Sequence, residues 1–158
     1  MLICLLLAAT TGCDRVTKHY AATALAGKPT QSFLADTVRL DYHENPGGFL
    51  SAGAAWSPSV RTGVFQIANA AFLLATLLAA TRLKWSTMAA LGLLLFVGGG
   101  VSNLIDRVAM GSVIDFMNIG IGPLRTGIFN VADVAIMLGI GLVLVERGRK
   151  VAVSTPRT

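Results

Sequence analysis

Trp85-Ser-Thr-Met-Ala-Ala-Leu-Gly-Leu-Leu-Leu-Phe-Val-Gly-Gly-Gly-Val-Ser-Asn-Leu-Ile105 carries no charge and is closed by Lys84 on one side and Asp106 on the other. A helix needs about 20 apolar residues to cross the hydrocarbon core of a bilayer, and this run supplies them. Read as a membrane span, it decides the fold class, because its neighbours then read the same way. Thr62–Thr81 is also uncharged, between Arg61 and Arg82. Ile128–Val145 is apolar apart from Asp133 and ends against Glu146-Arg147-Gly148-Arg149-Lys150. Met1–Cys13 is apolar but short, and continues through Asp14 and Lys18 toward Leu25 as a span whose far end is polar. The sequence predicts four spans, near 2–25, 62–81, 85–106 and 128–146.

Composition agrees. Of 158 residues, 54% are apolar and only 13% charged, against about 25% charged in ordinary globular chains. Mean hydropathy is +0.68. The deficit of charge fits a lipid-facing exterior. Net charge is +5, but the bases form no patch interleaved with aromatics, so nucleic acid is not an expected partner. Cys4 and Cys13 lack metal-ligand spacing and predict no disulfide framework. The length predicts one membrane-embedded domain over residues 1–150, followed by a frayed tail at 151–158.

The basic residues orient the spans. Arg82-Leu-Lys84 links the second and third, and Arg147–Lys150 follows the fourth. Positive loops stay cytoplasmic, which puts both termini inside and the connections near 26–61 and 106–127 outside. Asp14, Lys18, Asn45, Asn103, Asp106, Arg107, Asp115, Asn130 and Asp133 then gather at the outer face. Thr37–Tyr42 in the outer segment 30–60 alternates apolar and polar, the period of a half-buried strand. Asn45-Pro-Gly-Gly is turn chemistry, and Trp56 suits the headgroup level.

Asp115, in Gly-Ser-Val-Ile-Asp-Phe-Met-Asn118, and Asp133, in Phe129-Asn130-Val-Ala132-Asp133, each sit at the edge of an apolar segment. A carboxylate at membrane depth costs several kcal/mol unless it faces a wet or paired interior. Two such groups brought close cannot both ionise easily, so one can serve as acid while the other activates water. That chemistry needs no metal and no nucleophilic side chain. Asp133 also reads more simply as an acid at a helix N-terminus. Asp14 and Lys18, four residues apart, share a helix face; they form either a membrane-edge ion pair with Lys18 reaching outward or a brace for the site. Asn103, Asp106 and Arg107 lie at i, i+3 and i+4, and the planar fork of Arg107 suits a buried carboxylate. Gly98-Gly99-Gly100 before them allows another helix to approach closely. His19 and His43 are isolated, which leaves zinc hydrolysis without ligands, and no serine stands in a nucleophile elbow. Leu6–Asp14 resembles a lipoprotein cleavage box only superficially, since no positive segment precedes it and long apolar segments follow.

Taken in order, Asp14-x-x-x-Lys18, Asn45-x-Gly, Gly99-x-x-x-Asn103-x-x-Asp106-Arg107, Val113-x-Asp115-Phe116 and Phe129-Asn130-x-Ala132-Asp133 resemble the motifs of the lipoprotein signal peptidases, the type II signal peptidases of bacteria, over about residues 3–148. The resemblance implies a membrane all-α fold with a small β element, a four-helix bundle bearing an extracytoplasmic β-cradle. It implies an aspartic endopeptidase in the bacterial inner membrane that cuts lipid-modified prolipoproteins just before the diacylglyceryl-cysteine, without a cofactor. Asp115 and Asp133 match the catalytic dyad, and Asn103, Arg107 and Asn130 its supports. Asp14, Lys18, Asn45, Gly99, Asp106 and Ala132 match further motif positions, expected to orient substrate or structure. The chain departs from the family pattern at Gly48-Phe49-Leu50-Ser51, where Ala-Ala-Phe-Ser is usual, and at Ser102, where glycine is usual. The rival class is a non-enzymatic four-helix membrane protein, a transporter or assembly factor whose aspartates relay protons or ions. Such a path would carry polar residues at the midplane and the inner face as well. Nothing in the sequence demands more than a monomer.

Overall fold

A computed structural model describes residues 2–48, 51–82 and 85–154. Met1, the Phe49-Leu50 departure, Lys84 of the basic link and tail residues 155–158 lie outside the described residues. Helix α1 spans Leu2–Ala24, α2 Pro58–Arg82, α3 Thr87–Met110 and α4 Val131–Ser154. The chain thus runs up, down, up and down. A four-stranded antiparallel sheet, β1 (Gln31–Phe33), β2 (Val38–Asn45), β3 (Val113–Ile121) and β4 (Leu124–Arg125), sits at one end in that order. The expected strand in 30–60 is present, but half of the sheet comes from 113–125, and the described residues 46–48 and 51–57 form bends and turns rather than strand. The helix of α4 continues through Val151 to Ser154.

Helix limits follow local chemistry. Ser86 caps α3 by accepting the Ala89 N–H at 3.2 Å, and Gly111 ends it in the left-handed region at φ 76°, where glycine carries no Cβ penalty. Ser57 and Pro58 start α2. Residues Thr62–Ala68 of α2 take π-helical geometry.

Helix α3 is the centre of the bundle because its glycines strip three successive faces to backbone. A Cβ at Gly98 would lie 3.0 Å from Thr10 of α1, one at Gly99 2.4 Å from the Ala132 carbonyl of α4, and one at Gly100 2.5 Å from Leu73 of α2. Farther along, Gly92 and Gly139 face each other, so α3 and α4 cross almost backbone to backbone.

The outside of the bundle is apolar. Ile67, Phe72 and Leu74 on α2, Val108 on α3, and Met137, Leu138 and Leu144 on α4 are exposed, while Asp14, Lys18, Asn103, Asp106 and Asn130 are buried. A water-soluble fold distributes these residues the other way round; hydrocarbon as solvent explains the inversion. Two helices, Pro58–Arg82 and Thr87–Met110, are long and apolar enough to cross a membrane, with mean hydropathies of 1.8 and 1.9. Helices α1 and α4 have the length but carry charge. A separate apolar core, Ala21, Leu25, Ile114 and Phe116, packs the end of α1 under the sheet.

Candidate active site

Two pieces of backbone bring Asp115 and Asp133 together. Phe116 and Met117 of β3 donate to the Phe129 carbonyl at 3.0 and 2.9 Å, and Phe129 donates back to Met117 at 2.8 Å. The residues just before α4 are thereby stitched to the strand that carries Asp115. On the other side, β2 pairs with β3 through His43↔Asp115 and Asn45↔Val113, after a bulge between Leu40 and His43. The bulge adds one residue to β2 and re-aims the strand, which brings Asn45 to the site.

Helix α4 opens with a reciprocal cap. The Asn130 side-chain oxygen accepts the Asp133 N–H at 2.9 Å, and Asp133 Oδ2 accepts the Asn130 N–H at 3.2 Å, the capping-box arrangement. Asp133 is therefore both an N-terminal acid and a site residue, and the two sequence readings describe one group. The Asn130 amide nitrogen then donates to Asp115 Oδ1 at 2.7 Å and to Asn103 Oδ1 at 3.2 Å. Asn103 Nδ2 donates to Asp133 Oδ1 at 2.9 Å. Asn45 Nδ2 donates to Asp115 Oδ2 at 3.0 Å, held by an Asx turn in which Asn45 Oδ1 accepts the Gly47 N–H. Asn130 thus touches both acids, and every carboxylate oxygen of the pair has an amide donor.

Asp115 is 3% exposed. Burial pushes its carboxyl up to about 6, opposed by the Asn45 amide, raised further by the Asp133 charge, and lowered by Asn130 and Lys18. Both aspartates line a cavity of about 560 Å³, whose apolar lining includes Phe65, Phe72, Phe96, Ile136 and Met137.

Behind the aspartates, Asp14 joins three helices. Its Oδ1 accepts the Ala132 N–H at 2.8 Å, capping α4 from α1, while Oδ2 takes the Ser102 hydroxyl at 2.7 Å. Lys18 Nζ pairs with the same oxygen at 2.6 Å. Ser102, one of the departures noted in the sequence, therefore gives Asp14 a buried donor.

Asp106 meets Asn103 at Lys18 Nζ, 2.8 and 2.7 Å away, and also pairs with Arg15. Two expectations need correction. Arg107 does not clamp a carboxylate, because the nearby carboxylates already have amide or ammonium partners. Its guanidinium donates to the Gly47 carbonyl at 2.7 Å and the Asn103 carbonyl at 3.4 Å, and lies 5.5 Å from the Phe65 ring centroid. Nor does Lys18 reach outward; it is 1% exposed. Sequence reading passed over Arg15, Phe65 and the anchoring of Arg107 by Gln66, whose amide donates to the Arg107 carbonyl at 2.9 Å. A polar Gln66 inside an apolar span was the available signal.

The sequence model of Signal peptidase (SPase) II matches residues 6–147. The lipoprotein signal peptidase of Desulforapulum autotrophicum is 32% identical over 139 residues, covering 87% of this chain and 86% of that protein. That of Syntrophus aciditrophicus is 33% identical over 148 residues, covering 87% and 86%. A bacterial membrane enzyme structure obtained by the in meso method at 2.3 Å resolution superposes with a TM-score of 0.85 over 99% of this chain and 93% of that one, at 22% identity, a likeness of fold. The chain belongs to the signal peptidase II family.

Proposed function

We propose that this peptidase removes the signal peptide of lipid-modified bacterial prolipoproteins, cutting just before the diacylglyceryl-cysteine, with Asp115 and Asp133 as the catalytic dyad. The observation that carries the reading is the pair of carboxylates joined through one buried residue, Asn130, in a cavity walled mainly by apolar side chains. A close pair shares one proton. The ionised member takes a proton from water as the oxygen attacks the scissile carbonyl; the protonated member gives its proton to the carbonyl oxygen. The proton taken from water then goes to the leaving amine while the other aspartate takes a proton back from a hydroxyl of the tetrahedral diol. The C–N bond breaks, the carboxyl product forms and the pair again holds one proton. Asn103, Asn130 and Asn45 hold the carboxylates. Asp14 and Ala132 fix the start of α4, Asp106 pairs with Lys18 on α1, Gly99 lets α4 approach, and Arg107 holds the turn after β2. The Phe65–Phe72–Phe96 wall suits the acyl chains of the substrate.

On this reading all four helices span the bacterial inner membrane, residues 1–150 form one domain, and both termini, with the 151–158 tail, are cytoplasmic. The sheet and the dyad then face outward, and the enzyme works as a monomer. Support comes from the inside-out distribution of polarity and from the collection of the buried polar residues, among those described, at the sheet end. An ion-relay role draws no support from that one-sided collection.

The test uses purified protein, a lipidated prolipoprotein and no added metal or nucleotide. Asp115→Asn and Asp133→Asn are each expected to abolish cleavage while precursor still binds. The double variant should be little worse than either, since the pair acts as a unit. Substantial turnover by either correctly inserted single variant would overturn the dyad.

A further inference from the structure

The cluster behind the dyad does more than join helices. Lys18 Nζ has three partners: Asp14 Oδ2 at 2.6 Å, Asp106 Oδ2 at 2.8 Å and Asn103 Oδ1 at 2.7 Å. Both carboxylates are fully buried. Arg15 pairs with Asp106 from the half-exposed rim, so two cations balance two anions. The ion pairs alone would hold α1 against α3. The bond to Asn103 is surplus to that task.

An asparagine amide can sit in either of two orientations that exchange its oxygen and nitrogen. Here the oxygen of Asn103 receives two donors, Lys18 Nζ and Asn130 Nδ2. That leaves its nitrogen to donate to Asp133 Oδ1 at 2.9 Å. Turning the amide over would set N–H groups against an ammonium and an oxygen against a carboxylate. Both contacts repel, and in a buried site neither is relieved by water. Asn130 opposes the flip only as a neutral donor. The charged donor is Lys18.

We propose that Lys18 is a positioning residue of the peptidase: through Asn103 it keeps a hydrogen-bond donor on Asp133. Ser102 and Asp14 hold the Lys18 ammonium in place for this. The inference rests on the reading of Asp115 and Asp133 as the dyad.

Lys18→Met alone would leave Asp14 and Asp106 buried without their shared cation, a change that can unfold the protein. The decisive variant is therefore Asp14→Asn/Lys18→Met/Asp106→Asn, since neutralised buried ion clusters are commonly tolerated. With lipidated prolipoprotein as substrate, its kcat should fall about tenfold or more while KM stays within about threefold, the signature of lost transition-state positioning. The companion Asp14→Asn/Lys18→Gln/Asp106→Asn restores a neutral donor to Asn103 and should recover part of the lost kcat. Adding Asn103→Leu to the methionine variant should cost little more. In the unmutated protein, NMR should find the Asn103 side-chain amide protons protected from exchange. Freely exchanging protons, wild-type kcat in the methionine variant, or equal kcat in the methionine and glutamine variants would each overturn the proposal. Should Lys18 prove dispensable while Asp133→Asn is inactive, this inference fails and the dyad stands; an active Asp133→Asn would remove the dyad itself.

Discussion

A carboxylate that must stay poised between two protonation states is best held by groups that do not titrate, and the aspartates of this site are held by asparagine amides. Asn45 is the clearest case. Its N–H bonds to Asp115 at 3.0 Å, a contact that favours the ionised carboxyl and works against the burial that pushes it up to about 6. Removing the donor removes the lowering effect, so Asp115 in Asn45→Ala should bind its proton more tightly. A hydrogen bond to a charged group contributes about 1.5–3 kcal/mol, and one unit of pKa is 1.36 kcal/mol. The basic limb of the kcat/KM profile, where the pair loses its shared proton, should therefore move up by about one unit. A limb that stays or moves down would show that Asn45 serves the turn and not the acid. Asp115 and Asp133 were legible in the sequence because a charge in an apolar context is costly and hence informative. Ser102 was legible only as a departure from pattern, because a hydroxyl in a membrane helix is cheap; its bond to Asp14 exists only across helices. Arg107 misled for a related reason: the chemistry of its fork was right, but which acceptors lay free depended on Asn45 and Asn130 having already taken the acids.

At the scale of elements, the helices were legible and the sheet only half so. Long uncharged runs announce spans without tertiary information, whereas β3 is buried on both faces over Val113–Phe116, which erases the alternation that marks a strand. What fixes the site is the approach of α3 to α4 at Gly99. A Cβ there would stand 2.4 Å from the Ala132 carbonyl oxygen, backbone that cannot swing aside as a flexible side chain can. Gly99→Ala must therefore push back the first turn of α4, the turn that carries Asp133. A displacement near 1 Å at a reacting group can cost about 100-fold in rate, so kcat should fall by about that factor. Gly12→Ala, whose Cβ would meet nothing within 4 Å, is the matched control and should behave as the unmutated protein. Equal activity of the two variants would mean that α4 has slack to yield. A second element-scale device is the stack of Trp56 on Phe65, ring centroids 5.8 Å apart, which lays the turn at 51–57 against α2. With Arg107 bound to the Gly47 carbonyl and lying against the same Phe65, the turn segment is secured at both ends. Arg107→Lys keeps the charge but loses the planar fork and most of the stacking. KM for lipidated substrate should rise several-fold with kcat less affected; an unchanged KM would separate the turn segment from substrate binding.

At the scale of the whole molecule, the buried ion pairs and the basic helix ends lie at opposite ends of the bundle. Asp14, Lys18 and Asp106 are neutralised inside the bundle, so they say nothing about orientation, whereas Arg82 and the Arg147–Lys150 run sit at the ends of α2 and α4 away from the sheet. Anionic lipid and the positive-inside bias retain such ends in the cytoplasm. On the topology proposed above, the sheet end faces outward, and with it Asp115 and Asp133. Because both basic ends lie on one side of an up-down-up-down bundle, the proposed topology makes one joint prediction: all loops of one side share a compartment. Cysteines introduced near Gly27 and Gly122 should therefore be labelled in intact cells by an impermeant thiol reagent, with Cys4 and Cys13 replaced beforehand. A cysteine at Arg82 or Arg149 should be labelled only after permeabilisation. Both glycines sit in turns at positive φ, 71° and 54°, so cysteine there is strained; the adjacent Lys28 and Pro123 are the alternative sites. Labelling of the Arg82 site from outside would reverse the bundle and put the dyad on the cytoplasmic face. The positive-inside argument would then fail together with the four-span topology built on it.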